Sequence, residues 1–155
     1  MLDQRAESTF QRGMDLLYRG QPREALAFLR AAVDLDDSHT GQYSGQARYE
    51  SYYGLCLAQN RSQSRLHDAL KHCRKAAQME AYRADVWMNL GRVAMAAGRR
   101  GEAYRAFDRG RSLDPTHRGI VKELRRLGVR RPPAVSFLPR QNPINVFLGR
   151  LRPSA

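Results

Sequence analysis

Apolar residues recur along this chain at the three- and four-residue intervals that place them on one face of a helix. The first such run starts near Asp3 or Gln4 and carries Ala6, Phe10, Gly13, Met14, Leu16 and Leu17. Gly20 is suited to the left-handed conformation that ends a helix, and Pro22 to the first turn of the next. A second run to about Asp36 bears Ala25, Leu26, Leu29, Ala32, Val33 and Leu35 as its apolar stripe. After Pro115, residues 116–127 place Ile120, Val121, Leu124 and Leu127 on one face and basic residues on the other, and Gly128 is a C-terminal stop.

The spacing of small residues turns these helices into a repeat. Gly13 precedes Gly20 by seven residues and Gly20 precedes Ala25 by five; Gly91, Gly98 and Ala103 reproduce both intervals. Between them Gly54, Leu57, Ala69, Cys73, Ala76 and Met79 form a less regular copy, with three extra residues in a turn at 60–65. There Asn60 is expected to replace the missing turn glycine, since asparagine tolerates the left-handed region. Repeat starts fall at Ala6, Ala47 and Ala84, spacings of 41 and 37 residues. Gly13, Gly54 and Gly91 on the first helix of each pair, and Ala25, Ala69 and Ala103 on the second, allow close approach of the two axes. Ala32, Ala76 and Gly110 do the same where the second helix meets the next repeat.

Residues 85–115 carry Trp87, Leu90-Gly91, Gly98, Ala103, Phe107 and Leu113-Asp114-Pro115. This pattern resembles the tetratricopeptide repeat (TPR), a helix-turn-helix unit of about 34 residues. The longer spacings then imply insertions of about seven and three residues, the first a loop or helix extension at 38–44. Two departures are Ala94, where the family often has tyrosine, and Gly110, where it prefers alanine. The expected fold is all-α: three antiparallel helix pairs over about 6–37, 47–81 and 84–115 and a capping helix at 116–127, together a domain spanning 3–128. A mostly extended tail, 129–155, follows. A last helix with one wet face closes the core of such an array.

The resemblance implies a concave groove lined by the first helix of each pair, and protein or peptide binding without chemistry. Carried over position by position, the groove comprises Phe10, Met14 and Leu17 from the first repeat, and Tyr52 and Leu55 from the second. The third contributes Asp85, Met88, Asn89, Arg92 and Met95. This lining is largely apolar, and its three methionines suit irregular apolar partners; helix stripes of this kind are also ordinary core. The family's carboxylate clamp for acidic chaperone C-termini would need cations and amides where this chain has Phe10, Met14, Tyr52, Asp85 and Asn89. None matches, so an apolar or amphipathic segment is the expected ligand.

The tail itself fits that description. Pro132-Pro133 forbids helix, Val135 to Pro139 reads as extended, and Asn142-Pro143 starts a short helix with Ile144, Phe147, Leu148 and Leu151. Such apolar content calls for a partner, either the chain's own repeats, in cis or in trans, or another molecule.

Charge adds a second possibility. The net charge is +12, and residues 116–155 hold nine lysines and arginines against one carboxylate. This end favours polyanions, RNA or an acidic protein surface, through Arg125, Arg126, Arg130, Arg131, Arg140, Arg150 and Arg152. No aromatic-interleaved RNA motif accompanies them. A secretion-type chaperone is a further alternative, against which the basic charge argues.

Chemistry has little support. His39, His67, His72 and His117 are scattered, and no nucleophile motif or glycine-rich phosphate loop is present. Cys56 and Cys73 lack zinc spacing and read as buried thiols. No enzyme activity, cofactor or metal is expected. The apolar runs are too short to span a membrane, and the charged start lacks a signal-peptide core, so a cytoplasmic adaptor or scaffold is expected.

Overall fold

The computed structural model describes residues 4–37, 45–60 and 63–128, which form seven α-helices and no strand. They are α1 (Gln4–Tyr18), α2 (Pro22–Asp37), α3 (Gln46–Gln59), α4 (Gln63–Met79), α5 (Ala84–Ala96), α6 (Arg100–Leu113) and α7 (Arg118–Leu127). Sequence neighbours pack as the pairs α1–α2, α3–α4 and α5–α6; α2 meets α3, α4 meets α5, and α7 closes on α6. First helices also touch directly, α3 against α5. The loop expected at 38–44 and the tail expected at 129–155 lie outside the described residues.

Each pair closes where the sequence places its glycine. A Cβ on Gly13 would fall 2.8 Å from Leu29 Cγ, one on Gly54 2.6 Å from Cys73 Sγ and 2.8 Å from the Ala69 carbonyl oxygen, and one on Gly91 2.4 Å from the Phe107 ring. Gly110 follows the same logic at the end of the array. Its added Cβ would meet Ile120 Cδ1 at 2.7 Å, so this departure from the family's alanine makes room for the capping helix. Gly91→Leu is therefore expected to destabilise by about 1–3 kcal/mol, the usual range for forced overpacking, read as a lower denaturant midpoint at unchanged helix content.

Gly20 and Gly98 adopt φ of +75° and +72°, the left-handed region that ends α1 and α5. Asn60 does not. It ends α3 at φ −78°, a right-handed conformation, and its amide donates instead to the carbonyls of Pro22 and Cys56, both at 3.0 Å. The side chain thus ties α3 to the start of α2, which a turn glycine would not do. The inserted turn expected at 60–65 is also shorter than expected, because α4 begins at Gln63 and runs for 17 residues. No breaker stands at 63–65, so part of the insertion joins the helix. Likewise α7 starts at Arg118 rather than 116. Asp114 Oδ1 accepts from the Thr116 amide and hydroxyl in a tight turn, and His117 caps the helix by accepting from the Ile120 amide.

The core consists of two adjoining clusters. Phe10, Met14, Leu29, Val33, Tyr49 and Cys56 belong to the first, while Leu70, Cys73, Val86, Leu90, Val93, Phe107 and Ile120 belong to the second. Leu26, Tyr52 and Tyr53 pack against both, making the hydrophobic interior continuous from α1 to α7. Four buried positions among the described residues are polar or charged: Asp36, Glu50, Ser51 and Asn89. Glu50 of α3 stands four residues before its packing glycine, the register that Trp87 holds in α5. Its carboxylate lies 2.5 Å from His72 Nδ1 and 2.6 Å from Lys75 Nζ on α4.

Candidate peptide-binding face

The face shared by α1, α3 and α5 is set by helical period. On α5, Asp85, Met88, Asn89, Arg92 and Met95 fall at i, i+3, i+4, i+7 and i+10, on a different side from Trp87, Leu90, Gly91 and Ala94. The second stripe turns toward α6, where Gly91 meets Phe107, and so leaves the first on the shared face. The Trp87 indole N–H donates to the Ala81 carbonyl at 2.9 Å, which holds the entry to the helix.

The ten positions divide by burial. Phe10, Met14, Leu55, Met88 and Asn89 are buried, whereas Leu17, Tyr52, Asp85, Arg92 and Met95 are half-buried. Phe10 stacks in an aromatic group, its ring centroid 4.8 Å from Tyr49 and 5.7 Å from Tyr52, with the Arg48 guanidinium 4.8 Å above its centre. Both charged members have partners. Asp85 takes two hydrogen bonds from Arg83, at 3.1 and 2.9 Å, and Arg92 Nε donates to Glu123 Oε1 of α7 at 3.1 Å. Beside that pair, Met95 and Leu127 line a recess of about 390 Å³ with Arg126.

Successive first helices are connected by polar contacts that cross this face. Glu7 of α1 accepts from Tyr49 Oη at 2.7 Å and from Arg48 on α3. Asn89 of α5 donates to Ser51 Oγ of α3 at 3.0 Å, and Arg92 reaches Glu123 of α7. Burial pushes the Glu7 carboxyl up, but hydrogen bonds from Gln11, Tyr49 and Arg48 more than offset this and leave it below the usual range. The Tyr52 hydroxyl is pushed up, first by burial and then by the Tyr18 and Asp85 charges, against a lowering hydrogen bond from Asn89. Asn89 Oδ1 is buried and accepts no hydrogen bond from the described residues.

Arg48, Ser51 and Glu123 were not among the sequence candidates. One signal for the first was available: Glu7 and Arg48 each stand six residues before their packing glycine, so opposite charges occupy the same register on adjacent repeats. The other pairs carry no comparable mark.

Burial pushes the Cys56 thiol up to about 11 and raises Cys73 as well, the opposite of nucleophile activation. Among the described residues no three His, Cys, Asp or Glu side chains gather to hold a metal, and no helix is long and apolar enough to cross a membrane.

At the end of the array, α7 directs Arg118, Lys122, Arg125 and Arg126 around a shallow recess of about 540 Å³ with Thr116 and Val121. Arg125 and Arg126 are exposed, while Arg130, Arg131, Arg140, Arg150 and Arg152 lie outside the described residues.

Residues 61–126 match the family model of the tetratricopeptide repeat. The fold is a tetratricopeptide-repeat array. Among solved structures, the TPR protein YrrB, described as having an unusual peptide-binding site, is 22% identical with a TM-score of 0.61. That alignment covers 79% of this chain and 59% of YrrB, so the TPR array here spans about three fifths of that relative. The first TPR of Spaghetti (RPAP3), bound to the HSP90 peptide SRMEEVD, is 17% identical at a TM-score of 0.65, covering 81% of this chain and 93% of that one. The second TPR domain of human RPAP3, in complex with the HSP70 peptide SGPTIEEVD, is 18% identical at a TM-score of 0.63, covering 81% and 97%. Comparison with curated proteins yields no match.

Proposed function

We propose that this chain is a non-catalytic protein-interaction module, an adaptor whose concave TPR face, lined by α1, α3 and α5, takes an apolar or amphipathic segment. The observation carrying this reading is the composition of that face. Leu17, Tyr52 and Met95 remain accessible beside a floor of Phe10, Met14, Leu55 and Met88, and its two charges, Asp85 and Arg92, are already neutralised by Arg83 and Glu123. A face with no uncommitted cation has little to offer an acidic C-terminus such as those in the RPAP3 complexes, whereas adaptable apolar side chains favour an apolar anchor.

The chain's own segment 132–151 is the first ligand to try, in cis or from a neighbour, because Val135, Phe137, Leu138, Ile144, Phe147 and Leu148 give it the matching chemistry. A labelled synthetic peptide of these residues, titrated onto the full chain, is expected to bind with little salt dependence and to lose at least tenfold in affinity in a Leu17→Glu/Met95→Glu variant of unchanged melting temperature. If the chain's own tail competes in cis, deleting 130–155 raises the affinity for added peptide. Binding indifferent to the double substitution would overturn the reading.

A second reading rests on one observation on α7. Its single carboxylate, Glu123, faces Arg92, which leaves Arg118, Lys122 and Arg125 without a carboxylate partner among the described residues. Polyanion binding at this basic end, through RNA or an acidic protein surface, would show itself by steep salt dependence.

A further inference from the structure

The side of α5 turned away from the peptide-binding face lines a second groove, of about 650 Å³, between α4 and α6. Its floor is apolar, formed by Trp87, Leu90 and Ala106. The Trp87 ring is half-buried and its N–H is held by the Ala81 carbonyl, so it adds apolar surface rather than a free donor. Around the floor stand Arg74, Arg99, Arg105 and Arg109, against the single carboxylate of Glu102.

That carboxylate shows what these arginines accept. Arg74 of α4 grips it with both arms of its guanidinium, Nε at 2.8 Å and Nη2 at 2.9 Å, and Arg99 approaches to 3.7 Å. The Arg74 hydrogen bonds, first among the causes, hold the Glu102 carboxyl below the usual carboxylate range against the opposing effect of burial. Glu102 is thereby committed. The side chains of Arg105 and Arg109, one helical turn apart and exposed, make no ion pair or hydrogen bond among the described residues; the Arg105 charge acts on Glu102 only from a distance. The planar fork of arginine fits carboxylates two oxygens at a time, and the chain's net charge of +12 draws acidic partners toward it.

We propose that this groove is a second docking site, which binds an acidic protein segment by seating one apolar side chain on Trp87 and Leu90 while flanking carboxylates pair with Arg105 and Arg109. Charge complementarity selects an anion. The apolar floor selects a segment with an anchoring side chain over a nucleic-acid strand, whose phosphates would use the arginines and leave the floor unfilled. This site is independent of the concave face and holds whether or not that face binds peptide.

Trp87 is the only tryptophan in the chain and lies in the groove floor, so its fluorescence reads occupancy directly. The probe is a synthetic peptide of Glu and Asp residues around a single central Phe, titrated onto the full chain. A saturable shift in Trp87 emission is expected, weakened at least tenfold in Arg105→Glu/Arg109→Glu and severalfold in Arg105→Gln/Arg109→Gln, with melting temperatures unchanged. Replacing the Phe by Ser is expected to weaken binding at least tenfold, and Leu17→Glu/Met95→Glu to leave it unchanged. The proposal fails if Trp87 does not respond, if both arginine variants bind like the parent chain, or if the Leu17/Met95 variant abolishes the shift. Equal binding of the Ser peptide, together with displacement by polyuridine RNA, would also overturn it in favour of simple polyanion contact.

Discussion

Truncating Phe107 to alanine is expected to lower the stability of the array by about 3–5 kcal/mol, the range for removing a buried aromatic ring. Phe107 is fully buried on α6, and its ring occupies the space left by the absent side chain of Gly91. The loss combines the transfer free energy of the ring with the void it leaves, since the flanking Ala103 and Ala106 are too small to close it. In a repeat array each unit is stabilised by its neighbours, so loosening α5 against α6 also undermines the seat of Ile120 on Gly110 and with it the capping helix. Denaturant unfolding checks this as a lowered midpoint. A sharper test adds Gly91→Leu to Phe107→Ala. If the two positions share one volume, the new leucine fills part of the cavity, and the double variant is more stable than the sum of the single losses implies. Strict additivity would mean that the two helices do not meet as described.

The second large effect concerns the buried carboxylate of Glu50. Replacing both His72 and Lys75 with alanine is expected to destabilise the chain by about 3 kcal/mol at neutral pH, the low end for stranding a buried charge, since Lys75 is half-exposed. The pH dependence distinguishes this from lost packing. In the parent chain burial pushes the Glu50 carboxyl up, but the hydrogen bonds and charges of His72 and Lys75 outweigh it, so the group sits below its ordinary value of 4.5. A depressed carboxyl contributes stability that is present above the unfolded value and lost as pH falls through the folded one. Without the two partners only burial remains, the shift reverses, and the variant gains stability as acid protonates the group. The gap between parent and variant is therefore expected to be widest near neutrality and to narrow as the pH falls through and below 4.5. Denaturant midpoints across that range check it; a gap constant with pH would assign the loss to packing alone.

Much of the fold was legible because helix pairing leaves a regular mark on the sequence. Axes that approach closely need a small residue at a fixed register, so Gly13, Gly54 and Gly91 locate the three pairs, and Gly20 and Gly98 locate two of their turns. The register fails where a local interaction replaces a backbone requirement. Asn60 resembles a turn glycine, but in the fold its amide finds the Pro22 carbonyl on α2, a partner 38 residues away that no local pattern announces. The three-residue insertion likewise looked like a turn and is partly absorbed into α4, because nothing in Gln63-Ser64-Arg65 opposes a helix.

For the candidate site the same division applies. Sequence periodicity by itself determined only which residues lie on one side of their own helix, Phe10, Met14 and Leu17 on α1, Tyr52 and Leu55 on α3, and the stripe from Asp85 to Met95 on α5, because a helix repeats every 3.6 residues wherever it sits. That these sides line one groove was what the family resemblance implied. Only the tertiary structure decided how deep each lies and what it touches. Asn89 is sunk against Ser51, Arg92 is neutralised by Glu123, Glu50 is enclosed by His72 and Lys75, and the arginines of α4 and α6 converge around Trp87. Burial and ion pairing depend on distances between elements tens of residues apart, and those distances are set by the packing of whole helices rather than by the pattern along any one of them.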